Sequence, residues 1–69
     1  MKNNELRAEM ARHGDNNLSL AKALGITEVS VSRKINNQSI FTQTEIQIIA
    51  DRYNLSAEDI GRIFFTLQV

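Results

Sequence analysis

The sequence predicts an all-α fold: five short helices packed as one compact domain over residues 1–69, with a helix-turn-helix unit at its centre. Three observations point there. Helix-start signatures recur at Thr27, Thr42 and Ser56, each a hydroxyl residue with an apolar neighbour just before it and another four residues after it. Proline is absent, and the only brief alternation of strand type, at residues 29–35, fits helical spacing equally well. Between residues 16 and 35 the run NNLSLAKALGITEVSVSRKI carries a small residue, Ala21, and a glycine, Gly25, spaced for two helices that cross and turn sharply.

The first helix is expected over residues 4–13, with Leu6, Met10 and Ala11 as its apolar stripe. Gly14 then suits a left-handed C-terminal cap. The second helix starts at Asn16, a good N-cap type, and turns Leu20, Ala21 and Leu24 inward. Ala21 is small enough for a close crossing, and Gly25 ends the helix. The third helix begins after Thr27, which can accept from the free N–H groups of the first turn. Ile26 and Val31 staple it, and it runs to about residue 36. The fourth is expected over residues 43–53, opened by Thr42 and Glu45 as a capping box and by the staple Phe41–Ile46. Ile46, Ile49, Ala50 and Tyr53 face inward. The fifth is expected over residues 57–66. Ser56 caps it, Asp59 takes the box position, Leu55 and Ile60 staple it, and Ile60, Ile63, Phe64 and Leu67 share one side.

Composition narrows the function. A chain this short buries only about 60% of its unfolded surface and gains from added support. The sequence has no cysteine, so disulfides are excluded, and His13 alone makes a zinc site improbable. No cofactor is expected. No Cys nucleophile, Ser–His–Asp pattern or glycine-rich phosphate loop is recognisable, so the chain does not read as an enzyme. No apolar run approaches the roughly 20 residues that span a bilayer, and the polar start MKNNELRAEM does not resemble a signal peptide. The expected location is cytoplasmic, in a bacterial nucleoid or host cytoplasm.

Net charge is zero, with 8 basic and 8 acidic residues. Its distribution is uneven. Residues 17–38 carry Lys22, Arg33 and Lys34 against Glu28, whereas residues 39–69 carry Arg52 and Arg62 against Glu45, Asp51, Glu58 and Asp59. The helix-turn-helix is therefore the basic part of a neutral chain.

Such a unit positions its second helix to read the major groove of DNA. With Val31 and Ile35 facing the core, about 100° per residue points Val29 and Arg33 outward, flanked by Ser30, Ser32, Asn36 and Asn37. Arg33 can pair in bidentate fashion with guanine, Val29 can touch a thymine methyl, and Glu28 can accept from cytosine. Ser30 and Ser32 can donate or accept. Plainer readings stand beside these. Glu28 also suits the helix dipole without DNA. Asn17 either meets a phosphate or only begins its helix. Asn36, Asn37, Gln38 and Ser39 form either a phosphate-binding loop or an ordinary polar one. Lys22 and Lys34 are electrostatic phosphate contacts or simply solvated. His13 reads as structural or exposed, and Phe41 and Tyr53 as core.

Residues 20–37, LAKALGITEVSVSRKINN, with the helix start FTQTEIQIIA at residues 41–50, resemble the phage-repressor and Cro-like helix-turn-helix family. Its members are also called lambda-repressor-like, XRE-type domains, and the resemblance covers nearly the whole chain. It implies a transcription regulator that binds a pseudo-palindromic DNA operator as a homodimer, with the third helix in the major groove. Base contacts would carry over to Glu28, Val29, Ser32 and Arg33, and phosphate contacts to Asn17 and to Asn36, Asn37, Gln38 and Ser39. The chain departs from the family at Lys34, where an aliphatic is common, and at Asn36–Asn37, where Asn-Gly is common.

The segment IGRIFFTLQV at residues 60–69 has more apolar residues than one face can bury. Phe64, Phe65, Leu67 and Val69 are the candidate dimer contacts; the alternative is a core that is wholly internal. A second function also fits the sequence. Neutral charge, Glu28 on the reading helix and the apolar C-terminus suit a modulator that binds another phage regulator and masks its DNA-reading surface.

Overall fold

The computed structural model describes residues 4–65. It contains five helices in the expected order: α1 (Asn4–Arg12), α2 (Asn17–Leu24), α3 (Glu28–Ile35), α4 (Gln43–Tyr53) and α5 (Ala57–Phe64). The boundaries follow the capping chemistry. Asn16, Thr27, Thr42 and Ser56 each accept a hydrogen bond from the backbone N–H three residues on. The boxes Thr42–Glu45 and Ser56–Asp59 both close, as does a third, Asn16–Ser19, that sequence reading did not single out.

The ends of α1 to α4 obey one rule. Gly14, Gly25, Asn37 and Asn54 all take positive φ, between 53° and 72°. After each, the next N–H reaches back five residues. Asp15 donates to the Met10 carbonyl at 2.8 Å, Ile26 to Ala21 at 3.0 Å, Gln38 to Arg33 at 2.8 Å and Leu55 to Ala50 at 2.9 Å. This is the Schellman closure, which satisfies carbonyls left over at a helix end. It stops α1 at Arg12, one residue before the expected His13, because Gly14 has already turned the chain. Asn37 supplies the left-handed turn without a glycine. In two corners the reversal takes three residues, Gly25-Ile26-Thr27 and Asn54-Leu55-Ser56, and the middle apolar residue closes one helix while stapling the next. α5 was expected to reach Thr66; it ends at Phe64 with Phe65 as its cap, and Thr66 lies outside the described residues.

One apolar cluster draws on every helix. Leu6 and Met10 come from α1, Leu20, Ala21 and Leu24 from α2, Val31 and Ile35 from α3, Ile49 and Tyr53 from α4, and Ile63 from α5, with Phe41 from the loop before α4. Ile26, Ile46, Leu55 and Phe64 pack at its margin. Phe41 and Tyr53 are core residues, as read from the sequence. Ala11, placed on the α1 stripe, is instead exposed, because the stripe is satisfied by Leu6 and Met10 one turn apart.

Three polar ties hold the helices in register. Asp15, between α1 and α2, accepts from Arg52 through Nε and Nη2, both at 2.7 Å, from the Tyr53 hydroxyl at 2.6 Å and from the Ser19 hydroxyl at 2.7 Å. His13 stacks on the Tyr53 ring beside it, centroids 4.7 Å apart. On the opposite end of α1, Arg62 of α5 pairs with Glu5 and lies 3.7 Å from buried Glu9, which also holds Arg12. The third tie, from Lys34 to Glu45, bears on the candidate site. Among the described residues no buried side-chain nitrogen or oxygen lacks a hydrogen-bond partner.

Candidate nucleic-acid interface

α3 is held from both ends. At its start, Thr27 accepts from the Ser30 N–H at 3.1 Å, and its hydroxyl donates to the Ser30 hydroxyl at 3.0 Å. Ile26 below the cap packs on the core, and Val31 and Ile35 fix the rotation of the helix by being buried. At its end, the Lys34 ammonium lies 3.1 Å from Glu45 and donates to the Ile40 carbonyl at 2.8 Å. The Lys34 side chain is only 12% exposed, and its ammonium sits 5.7 Å from the Phe41 ring centre. A single side chain thus ties the end of α3, the following loop and the start of α4. Burial alone would raise the Glu45 carboxyl, but the Thr42 N–H and Lys34 outweigh it, and its pKa falls below the usual carboxylate range.

This geometry gives each expected contact residue its place on the surface. Glu28, Val29 and Arg33 are exposed on the outward face, and Val29 stands 62% exposed. Arg33 forms no ion pair among the described residues. Ser32 is half-buried on the same flank. Ser30 lies closer to the cap, its oxygen engaged by Thr27. Asn17 and Asn36 are half-buried, and Lys22, Asn37, Gln38 and Ser39 are exposed. Lys34 departs from its expected role. The phosphate contact expected of it needs a solvated ammonium, whereas this one is turned inward and paired. The departure from a family aliphatic is thereby accommodated: the stem occupies the half-buried site and the charge finds Glu45.

A groove of about 520 Å³ runs between α1, the start of α2 and α3. Asn17, Glu28, Ser32 and Asn36 line it, so the structure gathers four of the sequence-predicted residues on one concave face. Arg7 and Asn16 also line it, and neither was expected there. The signal for Arg7 was faint: it stands one residue after Leu6 and four before Ala11, at the edge of the buried stripe. Asp15 borders the groove too, but no single-sequence signal links it to Arg52, which is 37 positions away.

Of the dimer candidates, Phe64 packs edge-on against Phe41 with centroids 5.5 Å apart, so part of it belongs to the monomer core. Phe65 is 61% exposed. Leu67 and Val69 lie outside the described residues. Ile40, which sequence reading passed over, is the most exposed large apolar side chain described, at 87%.

A helix-turn-helix family model matches residues 6–60, spanning α1 to the first turn of α5. The chain belongs to the XRE-type, lambda-repressor and Cro-like helix-turn-helix family. No curated protein and no solved structure matches it. XRE-type domains are DNA-binding transcription regulators and not typically enzymes. Their helix-turn-helix corresponds here to α2 and α3, joined by the three-residue corner Gly25-Ile26-Thr27. Among the described residues no group of His, Cys, Asp or Glu could hold a metal ion, and no helix is long and apolar enough to cross a membrane.

Proposed function

We propose that this protein is a sequence-specific repressor of the compact phage or prophage kind, binding a two-fold operator as a homodimer with α3 in the major groove. The outward face of α3 supports this reading. Apart from Val29 it is polar, its guanidinium on Arg33 forms no ion pair among the described residues, and it is held rigid by the Thr27 cap and the Lys34–Glu45 tie. Glu28, Val29, Ser32 and Arg33 read base edges, with Ser30 at the margin. Asn17, Lys22, Asn36, Asn37, Gln38 and Ser39 meet the backbone. Phe65, with Leu67 and Val69 and the outer edge of Phe64, forms the dimer seam, so that two α3 helices stand about one helical turn, roughly 34 Å, apart.

A second reading is favoured by one observation: Val29 on α3 and Leu18 on α2 are both exposed apolar residues on the helix-turn-helix itself. That surface also suits a modulator that grips another regulator. One experiment separates the two. Binding of the native protein and Arg33→Ala to DNA flanking its own gene is measured at two salt concentrations. Salt-sensitive binding, weakened roughly 10- to 100-fold in the variant as for loss of one bidentate base contact, supports the repressor. A folded protein that binds no fragment refutes it and leaves the modulator.

A further inference from the structure

We infer that Arg7 of α1 is a DNA-phosphate contact, so that the binding surface extends from the helix-turn-helix onto the first helix; this rests on the DNA-binding reading above. Arg7 lines the groove with Asn16, Asn17, Glu28, Ser32 and Asn36, residues that border or form the expected DNA face. It is exposed and forms no ion pair or hydrogen bond among the described residues, whereas Arg12, Lys34, Arg52 and Arg62 are all paired. The groove also contains two acids, Asp15 and Glu28, and they are not equivalent. Asp15 is neutralised by Arg52, and its oxygens are filled by three side chains. Glu28 forms no ion pair among the described residues and sits on the α3 wall. The repulsion of a phosphate is therefore concentrated at α3, and the attraction at the α1 wall.

Two further donors border the same end. The Asn16 Oδ1 accepts from the Ser19 N–H, which turns the oxygen toward the backbone, and its amide Nδ2 donates to no group among the described residues. The Asn17 side chain makes no hydrogen bond among the described residues either. An arginine fork beside two amides matches phosphate oxygens in both charge and geometry. The arrangement divides the groove, with the DNA backbone against Arg7, Asn16 and Asn17, and the base edges toward Glu28 and Ser32.

The test is the salt dependence of binding to a mixed-sequence DNA duplex, followed by fluorescence anisotropy between about 50 and 200 mM salt. Each phosphate contact contributes a slope near −0.9, or about 3.5-fold over that range. Arg7→Gln is expected to flatten the slope by about one per monomer while thermal unfolding stays unchanged, and Arg7→Lys is expected to restore most of it. Arg7→Glu should weaken binding further. If the native protein binds with a salt slope and Arg7→Gln keeps that slope, the inference fails and the DNA-binding reading survives. If the native protein shows no salt-dependent binding, both fail together.

Discussion

Replacing Asp15 by Asn removes the acceptor on which three side chains converge. The carboxylate takes four hydrogen bonds, two from Arg52 and one each from Tyr53 and Ser19, and its side chain is 6% exposed. An amide keeps one acceptor oxygen and presents N–H groups to donors, so at least two of these bonds are lost. Hydrogen bonds to a charged group contribute about 1.5–3 kcal/mol each, and breaking a buried pair costs about 3–5 kcal/mol. Arg52 is 38% exposed and recovers part of its hydration, which brings the expected loss to about 2–3 kcal/mol. A domain of this size holds only about 3–10 kcal/mol, and at about 4–8 °C per kcal/mol the melting temperature should fall by roughly 8–24 °C.

The loss should also depend on pH. Hydrogen bonding to Arg52, aided by Tyr53 and Ser19 and opposed by burial, holds the Asp15 carboxyl well below the usual range. A depressed folded pKa gives stability that is complete above the unfolded value, about 3.9. That stability drains away as the pH falls below this value toward the folded one. Glu45 shifts in the same direction, so the native protein should weaken steadily below pH ~4 and Asp15→Asn less steeply. Urea unfolding followed by circular dichroism at pH 7 and at pH ~3 measures both effects. A variant within about 0.5 kcal/mol of the native protein at pH 7 would refute the structural weight given to this cluster. A difference of equal size at both pH values would refute the linkage.

Other expectations follow from single features. Lys34→Met and Glu45→Gln should each destabilise by about 1–2 kcal/mol, and a double-mutant cycle should return a coupling near 1 kcal/mol, since both side chains are mostly buried. Asn54→Gly should stabilise by about 0.5–1 kcal/mol in thermal unfolding, because Asn54 bears a φ of 53° that glycine adopts without strain. Gly25→Ala should cost about 1 kcal/mol through its φ of 72° alone, as a Cβ there meets nothing within 4 Å. Phe65→Ser should weaken self-association about tenfold in sedimentation equilibrium and leave monomer unfolding unchanged, since the ring is mostly exposed in the single chain.

The helices were legible because their starts are local. Thr27, Thr42 and Ser56 announce themselves within six residues, and α4 has the bounds that its box and staple imply. The outward face of α3 was legible for the same reason: once Val31 and Ile35 are assigned inward, rotation fixes the rest. What the sequence hid is long-range and polar. Asp15 and Arg52 are ordinary charges until the fold brings them together, and an aspartate after a glycine carries no hint of four hydrogen bonds. Lys34 was misplaced by the same gap. On a helical wheel it is a solvated cation, and only the approach of Glu45, which had already been assigned to a capping box, draws it inward. Asn54 was missed as a helix stop because the expected punctuation there is glycine.

These hidden pairs change the meaning of a neutral chain. Zero net charge argues against nucleic-acid binding only if cations and anions are equally available. They are not. Among the described residues, Arg12, Lys34, Arg52 and Arg62 are each bound to a carboxylate, chiefly on the α1–α5 and α4 sides, whereas Arg7, Lys22 and Arg33 form no ion pair on α1, α2 and α3. The acids without an ion pair among the described residues are Glu28, Asp51 and Glu58, and two of these three lie on α4 and α5, away from the helix-turn-helix. Internal pairing therefore separates charge that composition averages out. At about 0.9 per phosphate, the three available cations among the described residues contribute a salt slope of roughly 3 for one domain or 6 for a dimer. On the proposed reading, so few available cations leave much of the affinity to the base contacts, and the loss of Arg33 should cost more than the loss of any one phosphate contact.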